Sequence, residues 1–384
     1  MLSSAGLTVG VLDASLFADA ITPPWQALCS RLAEPNPWYE PEAVRAAARH
    51  LGARGVQLLV VRRDQQWLAA FPIRHGFRGH HPTLRIISAW QHRYCPLTTP
   101  LVDRDAPGDA LAAIIDWVAA RRALLVIEEF PTGGMVDQSL RAACRRYHTE
   151  PVVINAWDRA AVIRTESARY LLVNTPTKRR HNIERLRRRL EEAAESPLVT
   201  SILNGEPSEI DQFLALEASG WKGARGTALL SAPSDAAFFR EISAAFRAQK
   251  RLEMMALGAA ETTVAMQWRL VGDGVVFPFK IAYDERFRHA APGLVLDYDA
   301  LALFHDTPGR VMIDSLSAPD NNDLNSRWPD RRHIESVAYA PKIVPARLTA
   351  GLLKTAQRAA AAYQRRARPA GDPAATRKPR PQSP

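Results

Sequence analysis

Cysteine is scarce in this chain of 384 residues, and long apolar runs are missing from it. The three cysteines, Cys29, Cys95 and Cys144, are far apart and show no paired spacing, so the sequence predicts neither a disulfide framework nor a zinc site. No stretch approaches the roughly 18 consecutive apolar residues of a transmembrane helix. The N-terminus lacks the basic segment that begins a secretory signal. These absences predict a cytoplasmic protein without a metal.

Signature motifs of several enzyme classes are also missing. The sequence contains no glycine–serine–glycine nucleophile elbow, no His-Glu-x-x-His zinc motif and no Walker phosphate loop. Catalysis through an activated serine, a zinc ion or a P-loop is therefore not predicted.

The net charge of +10 is concentrated in two segments. Residues 365–384 carry six Lys or Arg against one Asp, and residues 167–194 carry eight against three Glu. The rest of the chain is near neutral. A uniformly basic nucleic-acid-binding body is not predicted, and no DNA partner is expected.

The chain uses one order of elements twice, without sequence identity between the two halves. In each half, helices precede a run of strands, and a further helix and strand follow. The predictions for the first half are helices at 17–32, 41–51, 106–121 and 135–146, with strands at 56–63, 67–74, 84–90, 123–127 and 152–163. Those for the second half are helices at 178–194, 209–219, 235–250 and 292–305, with strands at 198–203, 252–257, 263–270, 275–283 and 311–314.

The halves differ after their central strands. In the second half a strand ends in Lys280–Tyr283, a basic loop follows, and Pro292-Gly293 opens an apolar helix. The free N–H groups and the dipole of a helix N-terminus favour a phosphate or carboxylate. An ordinary strand–loop–helix connection is the alternative. The corresponding stretch of the first half, Gln91–Pro100, has no glycine and no helix start, which predicts that it binds no pyrophosphate and instead shapes an acceptor cleft.

Five stretches of the sequence stand out in order along the chain: Asn36–Tyr39 with Pro41-Glu42, Lys178–Arg189, Glu217–Gly223 with Gly226–Leu229, Lys280–Asp284 with Pro292-Gly293, and Ile313–Leu316 with Ser326–Trp328. Together these stretches resemble the GNAT acyltransferase superfamily. The resemblance is specifically to the CelD/BcsL-like acetyltransferases of polysaccharide biosynthesis, which are similar in turn to the Fem-type aminoacyltransferases.

This resemblance implies an α/β fold with a mixed sheet, built from two tandem GNAT-like units. It implies a degenerate first unit at 1–165 and an acyl-CoA-binding unit at 166–345. Residues 346–384 are predicted to form a C-terminal helix and a disordered basic tail.

The resemblance also implies direct acyl transfer from acetyl-CoA or another acyl-CoA, with a general base and no metal. Donor binding is assigned to the backbone of Ala291, Gly293 and Leu294, with Arg286 and Arg288 as charge partners. The superfamily's loop reads Arg/Gln-x-x-Gly-x-Gly/Ala, whereas Arg288–Gly293 reads RHAAPG, with alanine at the first glycine position.

Three side chains are candidate bases: Glu217, Asp314 and His289. The candidate substrate-binding residues are Trp221, Lys222, Lys280, Tyr283 and Trp328. Glu217 and Trp221 are four apart at the end of a predicted helix, which places them on one face. The alternatives are a surface histidine at 289, a helix that buries Trp221 and exposes Glu217, and a tryptophan at 328 that anchors the core.

The predicted acceptor is a small molecule or a sugar. The basic helix at 178–190 leaves open a solvated face or a contact with an anionic acceptor, a lipid headgroup or tRNA. Two other functions therefore stay open: a Fem-like transferase that takes its donor from charged tRNA, and a non-catalytic scaffold protein of a polysaccharide-assembly locus.

Overall fold

Thirteen strands of one mixed sheet form the centre of the molecule in a computed structural model, which describes residues 6–13, 21–76, 85–165, 175–318 and 322–341. The strands are β1 (Leu7–Asp13), β2 (Val56–Arg63), β3 (Gln66–His75), β4 (Ile86–Ala89), β5 (Leu101–Val102), β6 (Leu124–Pro131), β7 (Val152–Ile163), β8 (Leu198–Leu203), β9 (Leu252–Ala259), β10 (Thr262–Gly272), β11 (Val275–Tyr283), β12 (Met312–Asp314) and β13 (Asp330–Tyr339).

Ten α-helices in the described ranges cover this sheet. They are α1 (Thr22–Cys29), α2 (Pro41–Leu51), α3 (Pro107–Ala120), α4 (Met135–Arg145), α5 (Thr177–Ala194), α6 (Pro207–Ser219), α7 (Trp221–Ala224), α8 (Pro233–Ala248), α9 (Pro292–Asp306) and α10 (Asn322–Arg327). Six of them, including α6, α8 and α9, have proline in the first two positions. Proline suits these positions because its fixed φ matches the helix and its missing N–H would have no helical partner.

The two halves of the chain exchange strands within the sheet. The strand order is β1-β2-β3-β4-β6-β13-β7-β12-β11-β10-β9-β8, with β5 beside β3. The last strand, β13, therefore lies between β6 and β7 of the first half, and β7 pairs with β12 of the second half. Strand pairing crosses the boundary predicted at residue 165, and that boundary stays a prediction.

Two strand pairs are parallel, and they occupy equivalent places in the two halves. These are β4 with β6 and β11 with β12; every other pairing among the named strands is antiparallel. We call them the first junction and the second junction.

A shared apolar core joins the halves. The Trp38 ring of the first half meets the Phe277 ring of the second edge-on, with centroids 5.4 Å apart. Helices α2 and α8 also pack together, and His50 of α2 lies 2.7 Å from Glu241 of α8. Because both halves bury aromatic side chains in one core, their relative position is fixed by packing as well as by strand pairing.

The predicted α/β class with a mixed sheet is confirmed. The predicted bounds of α2, β2, β8 and β11 agree with the structure at both ends. Strands β1 and β13 were missed, and β13 was missed because its sequence begins with the charged residues Asp330–Arg332. The start of the helix predicted at 17–32 and the C-terminal segment 346–384 lie outside the described residues. No described helix is long and apolar enough to cross a membrane.

Candidate active site

The second junction opens into a slot. Strand β11 pairs with β12 only through Val275–Met312 and Val276–Ile313. Strand β12 ends at Asp314, whereas β11 continues to Tyr283. Among the described residues, the rest of β11 therefore has no strand partner on this side. We call this free edge, Phe277–Tyr283, the slot edge.

A β-bulge lies within the slot edge. In the ladder with β10, Trp268 is opposite Lys280 and Arg269 is opposite Pro278, so Phe279 is the extra residue. Pro278 has no N–H to donate to the ladder, and a bulge is one of the places in a sheet where proline is tolerated. A bulge bends the strand and redirects the neighbouring side chains, and bulges are frequent beside active sites. Here it places Phe279 against Trp268, with ring centroids 5.6 Å apart, and Lys280 against α6.

One end of the slot edge leads into the predicted donor loop. The loop forms a 3₁₀ turn over Glu285–Ala290, and Ala291 then adopts a left-handed conformation with φ of 48° before α9 begins. A Cβ placed on Gly293 would lie 3.4 Å from Cδ1 of Ile281 and 3.6 Å from Cδ1 of Tyr283. The N-terminus of α9 therefore lies directly against the slot edge, as phosphate binding there requires.

The predicted charge partners of the donor lie in this turn. The Arg286 guanidinium pairs with Asp284, with Nη2 2.6 Å from Oδ2, and the carboxylate also accepts the backbone N–H of Arg286. This pairing lowers the pKa of Asp284. Arg288 and His289 are exposed, and Nε of Arg288 is 3.4 Å from Nε2 of His289. A negatively charged ligand can therefore meet Arg288 directly, whereas Arg286 must share its charge with Asp284.

Glu217 of α6 lies on the other side of the slot edge and is fully satisfied. Its Oε1 accepts from Nζ of Lys222 and from Nζ of Lys280, each at 3.1 Å, and its Oε2 accepts the N–H of Leu229 at 2.8 Å. Burial alone would raise the pKa of Glu217, but the two lysines and the Leu229 N–H hold that pKa below its ordinary value. A carboxylate stabilised in this way is a weak base, and its predicted role as the general base stays a prediction.

The first half contributes a side chain that the sequence analysis did not assign. The Tyr94 ring centre lies 5.6 Å from Nζ of Lys280, and the Tyr94 hydroxyl donates to Oδ2 of Asp235 at 2.6 Å. The ring stacks on Phe238 of α8, with centroids 5.7 Å apart. The Gln91–Pro100 stretch thus reaches the second half's site. The signal in the sequence that could have identified Tyr94 was an aromatic residue within a polar loop.

Trp221 and Glu217 do not share a helix face, so that expectation was wrong. Helix α6 ends at Ser219, and α7 begins at Trp221 after an extended Gly220. The reversal of the chain buries Glu217 and leaves Trp221 45% exposed, with the Arg225 guanidinium 4.9 Å from its ring centre. A shallow crevice at this point is lined by Glu217, Trp221, Lys222 and Tyr283, among others.

Asp314 and Trp328 are both buried. Asp314 pairs with Arg159 at 2.6 Å and with Arg332, and these cations outweigh its burial and lower its pKa. Trp328 is 3% exposed in an apolar cluster beneath α9 and donates its Nε1–H to Asp297 at 3.2 Å. These positions favour a stabilising role for both, and their predicted parts in catalysis and substrate binding stay predictions.

A larger cavity of about 410 Å³ lies near the opposite end of β11. Its lining includes Glu40, Arg251 and Gly272. Because it is at the β10–β11 turn and not along the slot edge, it contains none of the predicted site residues. In the described part of the chain, no three His, Cys, Asp or Glu side chains come together as metal ligands.

Comparisons with known proteins agree with this geometry. Residues 177–316 match the family model described as the Acetyltransferase (GNAT) domain. This segment of the chain is therefore similar to a GNAT acetyltransferase domain. The matched segment spans α5 to the residues just after β12 and includes the whole slot edge. No curated protein sequence matches the chain.

Solved structures share the fold at low sequence identity. The crystal structure of FemX has a TM-score of 0.54 and 11% identity, over 86% of this chain and 97% of that one. The C-terminal domain of a putative lysylphosphatidylglycerol synthetase from Agrobacterium fabrum has a TM-score of 0.50 and 11% identity, over 87% and 95%. A tandem GNAT protein from the clavulanic acid biosynthesis pathway matches at 0.40 with 12% identity, over 88% and 100%. The likeness to the first two structures is one of overall fold.

Proposed function

We propose that the protein transfers an acyl group, with acetyl as the expected case, from acyl-CoA to an amine or hydroxyl of a small molecule or sugar. The GNAT domain supports acyl transfer as the class of reaction. The CelD/BcsL-like setting in polysaccharide biosynthesis belongs to this proposal and rests on the resemblance of the sequence motifs.

The observation that carries the proposal is the slot at the second junction. A continuous sheet leaves no room for an extended thioester, but along Phe277–Tyr283 the slot edge has no strand partner on this side among the described residues. The N-terminus of α9 lies at one end of this edge, where N–H groups and the helix dipole favour the donor's pyrophosphate. Lys280 and Glu217 lie on the far side of β11 from α9, where an acceptor would approach.

Direct transfer needs the two reactants held together, a proton acceptor, and stabilisation of the oxyanion. The slot edge supplies backbone N–H groups beside the bulge for the oxyanion. On the acceptor side, Lys222 and Lys280 give the group around Glu217 one excess positive charge. This environment fits an acceptor with hydroxyl or anionic groups close to its nucleophile. Trp221, which is exposed at the crevice beside Glu217, offers an apolar face on which a sugar ring can stack.

A Fem-like transfer from charged tRNA is the second candidate, and the surface of α5 favours it. Five exposed basic residues lie along one stripe of this helix: Lys178, His181, Arg185, Arg188 and Arg189. The helix packs against the Glu285–Ala290 turn, so the stripe adjoins the proposed donor site. Arg179 and Arg187 are not part of it, because Arg179 donates to the carbonyl of Arg327 and Arg187 pairs with Asp299.

Calorimetric titration of acetyl-CoA into the full chain tests the first candidate against the second. Saturable one-site binding is expected. Its absence would contradict the proposal and favour either the tRNA-dependent reaction or the scaffold function.

A binding assay with bulk tRNA at several salt concentrations then separates those two. A tRNA-dependent enzyme should bind with a steep salt dependence that Arg185→Glu and Arg188→Glu reduce, because each removes a phosphate contact. Arg62→Glu, an exposed charge of the first half, is the matched control.

A further inference from the structure

Lys280 occupies an unusual place for a lysine. It follows the bulge on the slot edge, and its side chain is 15% exposed. Its Nζ donates to Glu217 at 3.1 Å and otherwise lies over two aromatic rings, 5.6 Å from the centre of Tyr94 and 5.9 Å from that of Phe279. An ammonium has three protons to donate, and a ring face is a weak acceptor. Two of its N–H directions therefore have no strong acceptor among the groups described around it.

Lys222 makes a useful contrast because it shares the same carboxylate. Its Nζ donates both to Oε1 of Glu217 and to the carbonyl oxygen of Ile281, each at 3.1 Å. That second bond to a strand carbonyl anchors the Lys222 ammonium. Lys280 has no such second oxygen partner among its described contacts, so its nitrogen is held less tightly in the charged form.

We propose that Lys280 is a site of self-acylation, at which its Nζ takes the acyl group from a thioester bound along the slot edge, with Glu217 as the positioning partner that controls its charge. The inference rests on the proposed use of acyl-CoA. It does not require that any acceptor be known.

The step is an ordinary aminolysis. The Lys280 ammonium first loses a proton to solvent, and the Nζ lone pair then forms a C–N bond to the thioester carbonyl carbon. The C–S bond breaks, and the CoA thiolate takes up the second proton that the nitrogen releases. The products are an Nε-acyl amide on Lys280 and free CoA thiol, so no further reactant is needed.

The surroundings of Lys280 make the neutral amine that this step requires easier to form than at an exposed lysine. Burial lowers the pKa of Lys280, Lys222 adds to this, and Glu217 acts in the opposite direction. The product suits the site as well, since an uncharged amide removes a buried charge and its acyl group lies among the rings of Tyr94 and Phe279. Because an amide does not pass its acyl group on, acylation would block the acceptor side and leave Glu217 paired with Lys222 alone.

Peptide mass spectrometry of the full chain after incubation with acetyl-CoA tests the proposal. Exposed Lys250, which lies between α8 and β9, reports the background rate of chemical acetylation. We expect acetylation at Lys280 at least tenfold faster than at Lys250 and loss of this difference in urea-unfolded protein. Equal rates at the two lysines in the folded protein would overturn the inference.

Two variants separate this inference from the proposed function. Lys280→Arg should lose the rapid acetylation, while calorimetric titration of acetyl-CoA into the wild-type chain reports donor binding independently. Glu217→Gln should shift the pH profile of Lys280 acetylation towards lower pH, because the charge that favours the ammonium is gone. An unshifted profile would overturn the role of Glu217. Binding of acetyl-CoA without preferential Lys280 acetylation would overturn only the inference, whereas absence of binding would overturn the proposed function itself.

Discussion

Both junctions are parallel strand pairs, but a loop fills the gap at the first and no loop of the described residues fills it at the second. At the first, β4 pairs in parallel with β6 at residues 86–88, and the loop after β4 fills the gap. The Asn36 amide donates to the carbonyl of Thr99 at 2.8 Å, the Tyr39 hydroxyl donates to that of Trp90, and Leu97 is fully buried. At the second junction the chain after β11 turns into the Glu285–Ala290 turn, where Arg286, Arg288 and His289 are exposed, and then into α9. The first junction is plugged by its own loop, and the second stays open.

The comparison shows that the segment after a parallel strand pair, and not the pair itself, determines whether a slot forms. A loop with buried apolar residues and hydrogen-bonded carbonyls closes the gap, because exposing either would cost free energy. The turn at the second junction is polar and leads into a helix N-terminus, so burying it in the gap would cost free energy. The Arg159 side chain connects the two junctions. It donates to the carbonyl of Pro96, in the loop of the first junction, at 3.1 Å and pairs with Asp314 of the second.

The largest expected effect comes from breaking this link between the junctions. Asp314→Ala leaves Arg159, which is fully buried, without its carboxylate partner and should lower the free energy of unfolding by about 3–5 kcal/mol. Urea unfolding measures this. The control is Asp211→Ala, whose exposed pair with Arg240 should contribute about 1 kcal/mol or less. Similar values for the two variants would show that the Arg159–Asp314 pair does not hold the junctions together.

The two tryptophans near the second junction should behave in opposite ways. Trp328→Ala removes a buried ring from the cluster beneath α9 and should cost about 3–5 kcal/mol of stability. Trp221→Ala removes a ring that is 45% exposed and should cost about 0.5–1 kcal/mol, with its main effect on acceptor binding. Thermal and urea unfolding measure both. A stable Trp328→Ala protein with impaired substrate binding would restore the acceptor-wall role predicted from the sequence.

The donor end of the open junction is tested at Gly293. A Cβ there meets Ile281 at 3.4 Å, which is ordinary contact, so Gly293→Ala should bind acetyl-CoA nearly as wild type does. Gly293→Val adds bulk between α9 and the slot edge and should weaken binding about 5- to 150-fold, as overpacking by about 1–3 kcal/mol implies. Arg286→Ala and Arg288→Ala should weaken it less.

Pro96→Ala in the plugged junction is the matched control for that titration, and its acetyl-CoA affinity should equal the wild-type value. Calorimetry gives all these affinities. If Pro96→Ala weakened binding more than Gly293→Val, the donor would have to lie at the first junction.

The smallest expected effect is a difference in the pH response of stability. Burial and the neighbouring Arg93 lower the pKa of His92, in the plugged loop, from 6.5 to about 3. Because the folded-state pKa lies below the unfolded one, neutral His92 contributes its full stability above pH 6.5, and this is lost as the pH falls towards 3. The slope is at most about 1.4 kcal/mol per pH unit.

His92→Gln should remove that part of the acid dependence, and urea unfolding between about pH 7 and pH 4 measures it as a shallower slope of stability against pH. His181→Gln, the same substitution on the exposed face of α5, is the control. Equal slopes for wild type and His92→Gln would mean that the plugged loop does not hold a neutral histidine.

Local sequence patterns determined most elements and the place of the candidate donor loop. Helix α2 and strand β11 follow from proline at a helix start, apolar periodicity and a Gly-Asp-Gly turn, all of which act within a few residues. The absence of a helix start in Gln91–Pro100 is also local, and the structure has no helix there. The fold class was implied by the family resemblance, and the repeated order of these elements agreed with it.

Tertiary structure alone decided which side chains meet. Tyr94 and Lys280 are brought together by strand exchange and by the shared core, and no spacing along the chain records that contact. The same holds for Asp314, a candidate base in the sequence, whose partners Arg159 and Arg332 lie on two other strands. Hydrogen-bond patterns and apolar periods are short-range and can be read from neighbouring residues, whereas burial and charge pairing depend on partners that lie far away along the chain.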